Sequence, residues 1–422
     1  MPTYITVSLI ELQFRERKNL KGHLRHKIIY RTLQILMKPF LVWKFNYNFE
    51  RIKPLKHPAF ILPNHVTNWD PLLVGLSFPQ MMYYVASDHL FRLGWVGKII
   101  QFLVAPIPRV KSAADRETVV SIFKHIREGH NICIFPEGNM TFGGETGELH
   151  GTTARLVKRT GAALVTYRME GGYLTQPRWS RYPRRGSMTG YPVRIYNPEE
   201  IKGMSEEELM KCIEHDLYTN AYDEQKRRGP VAFRGKNLAE NLETALYLCP
   251  CCGKMEGLQS RGDYFFCSCG LKLRYTEYGL LKSINQQKPP FTTVLEWLRW
   301  QSRRVRELAE ELRNRSENQA ITSDEKQSLW KIQRAKKARL LGRGRLQLFK
   351  DRLAFQSARG SNYSFPLSQI SDISIHGQRT LIFTTTSQEY YELKSQVPRS
   401  ALKYYELCKA LTGKHNIYQG KE

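Results

Sequence analysis

The chain has 422 residues, a formal net charge of +26 at neutral pH and 41% hydrophobic residues. That length exceeds one ordinary domain and the composition excludes an intrinsically disordered chain, so two to four folded units are expected. The charge calls for an acidic counterpart: anionic lipid headgroups, a phosphorylated small molecule or nucleic acid.

The first 60 residues carry twelve Lys/Arg against three Glu. In the opening stretch the basic cluster follows the apolar residues, with no small-residue cleavage site, so it does not read as a secretory signal. Within it Ile29, Leu33, Leu36 and Phe40 recur at helical spacing beside Arg25, Lys27, Arg31 and Lys38. This pattern predicts a basic amphipathic helix that rests on a membrane surface, covers its own domain, or does both where only part of the stripe is covered, and residues 1–57 are assigned to it. No apolar run approaches the ~20 residues needed to span a bilayer. A peripheral protein on the cytoplasmic face of a membrane is expected.

Residues 58–235 alternate short apolar runs (AFILP, MMYYVAS, NICIFPEG, AALVTYRM) with helix-like stretches (DPLLVGL, ADRETVVSIFKHIREG, GTTARLVKRTG). Such alternation predicts an α/β domain. In LPNHVTNWDPLL, Asp70 and Pro71 suit the cap and first position of a helix, which leaves His65 at a strand end. An imidazole held there by the Asp70 carboxylate can take a proton from a hydroxyl, with no nucleophilic Ser or Cys between them. A lone histidine is more often structural. The sequence adds a second strand end at Pro136-Glu137-Gly138, a place where α/β sheets put ligands.

Five of the eight cysteines fall within residues 249–269. Cys249-x2-Cys252 and Cys267-x-Cys269, each pair followed by glycine, suit tetrahedral zinc, with Cys251 as bystander. Residues 246–283 are assigned to a zinc-ribbon-like module that would need its metal to stay folded. A free thiol cluster or a disulfide is the other reading. Residues 290–341 form a helical basic connector, with Val294, Trp297, Leu298, Val305, Leu308 and Leu312 as its apolar stripe and the segment KIQRAKKARLLGRGR carrying seven basic residues. Residues 342–415 alternate as six strands and end in a helix, the pattern of a pleckstrin-homology or GRAM type module.

The blocks NHVTNWD and FPEGNMT, in that order, resemble the signature blocks NHxxxxD and FPEGTRS of the glycerolipid (1-acylglycerol-3-phosphate / lysophospholipid) acyltransferase family. APIPRV is similar to the block between them, and the likeness covers roughly residues 58–170. It implies an acyltransferase-type sheet flanked by helices, and a transferase moving a fatty acyl group from acyl-CoA or acyl-carrier protein to a lysophospholipid hydroxyl. His65 and Asp70 would be catalytic, and Glu137, Gly138, Arg109 and Asn64 would bind substrate. Arg109 would grip a phosphate; its other reading is a solvated surface arginine. Backbone N–H groups near the helix after Asp70 are expected to receive the oxyanion. Met140 stands where the family has a phosphate-binding Arg, so Arg155, Arg168 or the loop RWSRYPRR would replace it, the acceptor carries another headgroup, or the site is inactive. Two further readings stay open. One is a silent anionic-lipid adaptor; the other, nucleic-acid binding through the ribbon and the basic connector, is disfavoured by the absence of aromatic-rich RNA motifs.

Overall fold

A computed structural model describes residues 3–92, 94–109, 116–284, 288–314, 319–332 and 338–413. Among these described residues three sheets follow one another along the chain.

The first has seven strands: β1 (Tyr47–Phe49), β2 (Ala59–Pro63), β3 (Met82–Ser87), β4 (Ile107–Arg109), β5 (Asn131–Cys133), β6 (Ala163–Glu170) and β7 (Met188–Tyr196), in the order β1-β7-β6-β2-β5-β3-β4. Neighbours from β6 to β4 run parallel, β7 is antiparallel to β6, and β1 is parallel to β7. Strand β1 lies inside the segment assigned to the N-terminal helix, so the sheet begins before residue 58. Because β-strand side chains alternate, Ala59 and Ile61 face one core and Phe60 and Leu62 another. The first core is closed by α1 (Thr3–Phe45) and α2 (Asp70–Gly75). The second is closed by α4 (Arg116–Arg127), α5 (Thr152–Thr160) and α8 (Glu206–Leu217), the last started by a capping box between Ser205 and Glu208. Helices α3 (Trp95–Val104), α6 (Gly172–Thr175), α7 (Pro198–Gly203) and α9 (Ala221–Arg228) complete this region.

The second sheet is a meander of β8 (Leu258–Arg261), β9 (Tyr264–Cys267), β10 (Lys272–Tyr275) and β11 (Leu281–Ser283). Helix α10 (Val294–Arg313) follows, capped by Thr293 and Glu296. The third sheet is a seven-stranded antiparallel half-barrel: β12 (Thr322–Ile332), β13 (Arg339–Leu348), β14 (Arg352–Ser357), β15 (Asn362–Pro366), β16 (Ile370–His376), β17 (Thr380–Thr385) and β18 (Tyr390–Ser395), in the order β15-β14-β13-β12-β18-β17-β16 and followed by α11 (Ala401–Leu411). The basic stretch expected as a connector is thus the end of β12 and the start of β13, paired antiparallel; its residues 333–337 lie outside the described ones.

The cysteine-bearing sheet does not stand alone. Leu258, Phe265, Leu273 and Tyr275 share one continuous core with Trp297 and Leu298 of α10, with the half-barrel and with α11. Buried Glu406 on α11 accepts hydrogen bonds from Ser302 (2.5 Å) and from Tyr247, which stitches α11 to α10 and to the chain entering the cysteine module. The half-barrel also docks on the first domain. Glu392 of β18, fully buried, meets Arg92 at 2.6 Å, and His89 stacks on His376 at 4.1 Å.

Candidate active site and metal centre

Strands β2 and β5 are parallel neighbours, so the loops that leave them rise from the same edge of the sheet. His65 stands two residues beyond β2, and Glu137 lies in the loop after β5. Asp70 is the first residue of α2, with Trp69 at the cap, one position later than the sequence reading placed it. Its carboxylate points back into the loop. It accepts the Nδ1–H of His65 at 2.8 Å, the N–H of Val66 at 2.7 Å, and both the N–H and the hydroxyl of Thr67 at 2.9 and 2.7 Å. With Nδ1 turned to Asp70, the Nε2 lone pair of His65 faces away from it, and the ring leans on Phe135 at 4.5 Å. That is the tautomer a general base toward a hydroxyl requires.

Glu137 joins the two loops. Its Oε1 accepts the N–H of His65 at 2.7 Å and its Oε2 the N–H of Gly147 at 3.0 Å. Burial pushes its pKa up to about 8, against the opposing pull of those two donors. Gly138 follows with φ +66, and a Cβ there would meet the His150 ring at 3.0 Å and Arg109 at 3.9 Å. Glycine is the residue this turn admits. Arg109, at the end of β4, therefore flanks the same loop. Asn64 is buried and spent on the fold: it donates to the Met169 carbonyl at 2.9 Å and accepts the Met169 N–H at 2.7 Å, locking β2's exit to β6.

The structure changes two expectations about this region. The N–H groups of Val66, Thr67, Trp69, Asp70, Leu72 and Leu73 all have internal acceptors, so they are not the oxyanion donors. Of the arginines proposed to stand in for the one missing at Met140, Arg155, Arg168 and Arg178 are likewise engaged. Arg155 pairs with Glu206, and Arg168 binds the carbonyls of His215 and Asp216. From the basic loop, Arg178 reaches the Met140 carbonyl at 2.8 Å but also ties the carbonyls of Ile375 and Gly377. It joins the loop after β5 to the half-barrel instead of facing a substrate.

Thr67, Phe135 and Glu224 were not foreseen. Thr67 sits three residues before Asp70, the offset at which a hydroxyl and a carboxylate close a local turn, and that spacing was the available signal. Glu224 of α9 binds the Gly171 N–H at 2.9 Å. It lines, with His65, Glu137 and Thr146, a small pocket of about 10 Å³, room for about one water.

A wide apolar surface lies on the two helices α1 and α3. The buried line of α1 runs through His26, Tyr30, Leu41 and Phe45, while Leu24, Ile28 and Ile35 form an exposed line beside Lys27, Arg31 and Lys38. The stripe read from the sequence is thus covered in part: Ile29 and Leu33 are half-buried, and Leu36 and Phe40 are exposed. Trp43, 65% exposed, and Trp95, 73% exposed, extend the surface, and Arg25 lies 4.3 Å over the ring of Phe102, which is exposed on α3. Among the described residues no helix is long and apolar enough to cross a membrane.

Far along the chain the four cysteines meet. Cys249 and Cys269 sulfurs are 3.7 Å apart, as are those of Cys252 and Cys267, and all four lie within 4.8 Å of one another. Sulfurs at the corners of a tetrahedron around zinc would stand about 3.8 Å apart. Glycines with positive φ, Gly253 and Gly270, turn both knuckles, and Cys251 is exposed outside the set. This cluster could bind a metal.

Residues 44–170 match the acyltransferase family. Over 115 residues, 26% of this chain, the sequence is 30% identical to a 1-acyl-sn-glycerol-3-phosphate acyltransferase from Borreliella burgdorferi, of which it spans 45%. Among solved structures, the 1-acyl-sn-glycerophosphate (LPA) acyltransferase PlsC from Thermotoga maritima aligns with a TM-score of 0.39 and 17% identity over 47% of this chain and 80% of that one. Dcp1p aligns at 0.21 with 14% identity over 26% and 92%. Residues 44–170 carry an acyltransferase domain, distantly related to the 1-acylglycerol-3-phosphate acyltransferases.

Proposed function

We propose that the protein is an O-acyltransferase acting at a membrane surface, moving a fatty acyl group from acyl-CoA or acyl-carrier protein to a hydroxyl of a lysophospholipid such as 1-acylglycerol-3-phosphate. The single observation that carries this reading is the His65–Asp70 pair, held at 2.8 Å and locked to Glu137 at the joined ends of β2 and β5.

His65 Nε2 takes the proton of the acceptor hydroxyl as its oxygen attacks the thioester carbonyl. The tetrahedral adduct then collapses, the C–S bond breaks, and the thiolate leaves with the proton carried by His65. Asp70 is never the base here; it fixes the ring and stabilises the imidazolium. Arg109, beside Gly138, would meet a phosphate, as a guanidinium can bind two of its oxygens. The apolar line on α1 and α3 would enter the lipid while Lys27, Arg31 and Lys38 meet anionic headgroups, each cation contributing roughly 1 kcal/mol. Zinc in the four-cysteine cluster would be structural, since four protein sulfurs leave no open position for a substrate.

Met140, with Arg155, Arg168 and Arg178 engaged by the fold, favours one second reading, an anionic-lipid-binding adaptor without turnover. One experiment separates the two. The purified chain is incubated on anionic vesicles with acyl-CoA and a panel of lysophospholipids of different headgroup, while free thiol and diacyl product are followed. Acceptor-dependent thiol release with a matching new ester is expected. Vesicle binding with neither, for every acceptor and with carrier protein as alternative donor, contradicts the enzyme and supports the adaptor.

A further inference from the structure

At the edge of the sheet opposite the acyl-transfer loops, the end of α4 and the turn into β5 gather a second set of metal-type ligands. Residues His125, Glu128 and His130 follow one another as H-x2-E-x-H. A tight turn folds them together: the Gly129 N–H bonds the Ile126 carbonyl and the His130 N–H bonds the His125 carbonyl, both at 3.0 Å, with Gly129 at φ +83. The two Nδ1 atoms come to 3.3 Å, the Glu128 Oε2 lies 3.7 Å from His130 Nδ1, and the three ligand atoms fall within 4.8 Å of one another. Two imidazole nitrogens bound tetrahedrally to one zinc ion stand about 3.4 Å apart.

The rings are held in place from outside. Tyr83 packs on His125 at 4.3 Å and His23 of α1 stacks on His130 at 4.1 Å. The Tyr83 hydroxyl lies in turn 3.3 Å from His23 Nδ1 and 3.5 Å from His26 Nδ1. Such packing fixes ring orientation before any ion arrives, which lowers the cost of assembling a site.

We propose that His125, Glu128 and His130 form a second metal site, separate from the four cysteines, for a divalent first-row transition ion such as zinc. Two imidazoles and one carboxylate suit Zn²⁺, Co²⁺, Ni²⁺ or Cu²⁺ and discriminate against Mg²⁺ and Ca²⁺, which take oxygen ligands. Water completes the coordination. The site lies before β5 whereas Glu137 lies after it, so the ion touches no reacting atom; its place is between α4 and the His23 segment of α1.

Cobalt distinguishes the two centres by ligand chemistry. The tag-free full-length chain, stripped of metal, is titrated with Co²⁺ alone. Sulfur-to-metal charge-transfer absorption reports the cysteines, and a visible ligand-field spectrum without it reports the nitrogen and oxygen set. The expected result is about one equivalent of the second kind with a dissociation constant of about 1 μM or tighter. It disappears in the double variant His125→Gln/His130→Gln, weakens about tenfold or more in the milder Glu128→Gln, and persists in His215→Gln, whose ring is exposed on α8. Absence of the sulfur-free class from the wild type, or its persistence unchanged in both the double variant and Glu128→Gln, overturns the proposal.

Discussion

The acyl-transfer loops and the cysteine knuckles both bring polar side chains from distant positions to one point, yet they hold them by different means. Around Asp70 every oxygen is matched by protein donors: His65, Val66, Thr67 and the Thr67 hydroxyl. The loop is organised by hydrogen bonds of the chain alone, and the base is oriented with nothing bound. Around Cys249, Cys252, Cys267 and Cys269 the sulfurs converge on one another. Four thiolates so placed repel, and a cation is what makes the arrangement favourable. The first region should tolerate chelation; the second should not.

The largest effect expected from that contrast is at the cysteines. Small zinc modules draw about 10–16 kcal/mol from the metal, an upper bound here, because Leu258, Phe265 and Leu273 are packed in a core shared with α10 and the half-barrel. Changing Cys249 and Cys252 together to Ser should release about one zinc per chain and accelerate hydrogen exchange over residues 249–269, while thiol release at His65 continues. Loss of turnover in step with loss of metal would break the comparison. The Asp70→Asn variant probes the other side. An amide in place of the carboxylate sets its NH₂ against the Val66 or Thr67 N–H, so transfer should fall by about 10²–10⁴-fold and the fold by roughly 3–5 kcal/mol. Steady-state kinetics and denaturant unfolding read the two.

Glu137 supplies a smaller, pH-linked effect. Its carboxyl titrates near 8 in the folded chain against 4.5 as the ordinary value, so the native state binds the extra proton between those limits. Stability should therefore fall as pH rises through that window, by on the order of a few kcal/mol, and stay level below it. Glu137→Gln should flatten this slope in unfolding curves taken from pH 5 to 8. The smallest change is at the surface: Trp43→Ser and Trp95→Ser should each weaken binding to anionic vesicles by about 2 kcal/mol, read by sedimentation, and leave thermal unfolding nearly unchanged.

Much of this was legible because the decisive signals are local. The blocks around His65 and Glu137 follow apolar strands whose ends adjoin in a parallel sheet, and two cysteine pairs at fixed spacing imply one cluster. The half-barrel strands from β13 to β18 stand out as short β-type runs separated by turn residues, with period-two burial clear in β14. Strand β12 does not: Thr322–Ile332 carries a bulge between Asp324 and Gln327, and it buries Gln327 and Ser328 where apolar residues would be expected. How much of the α1 stripe is covered was not legible for a related reason. Its apolar residues lie on two faces, and only the packing of Tyr30, Leu41 and Phe45 against the sheet decides which face is left to solvent. The engagement of Arg178 depends on carbonyls about 200 residues away, at Ile375 and Gly377, beyond any local pattern.

The central claim, that His65 removes the acceptor's proton, is tested most directly by single-turnover thiol release from acyl-CoA with the preferred lysophospholipid, in wild type and in His65→Ala of matched circular dichroism and vesicle binding. A fall of about 10²–10⁴-fold in the variant is predicted. Equal rates in the two proteins would contradict it.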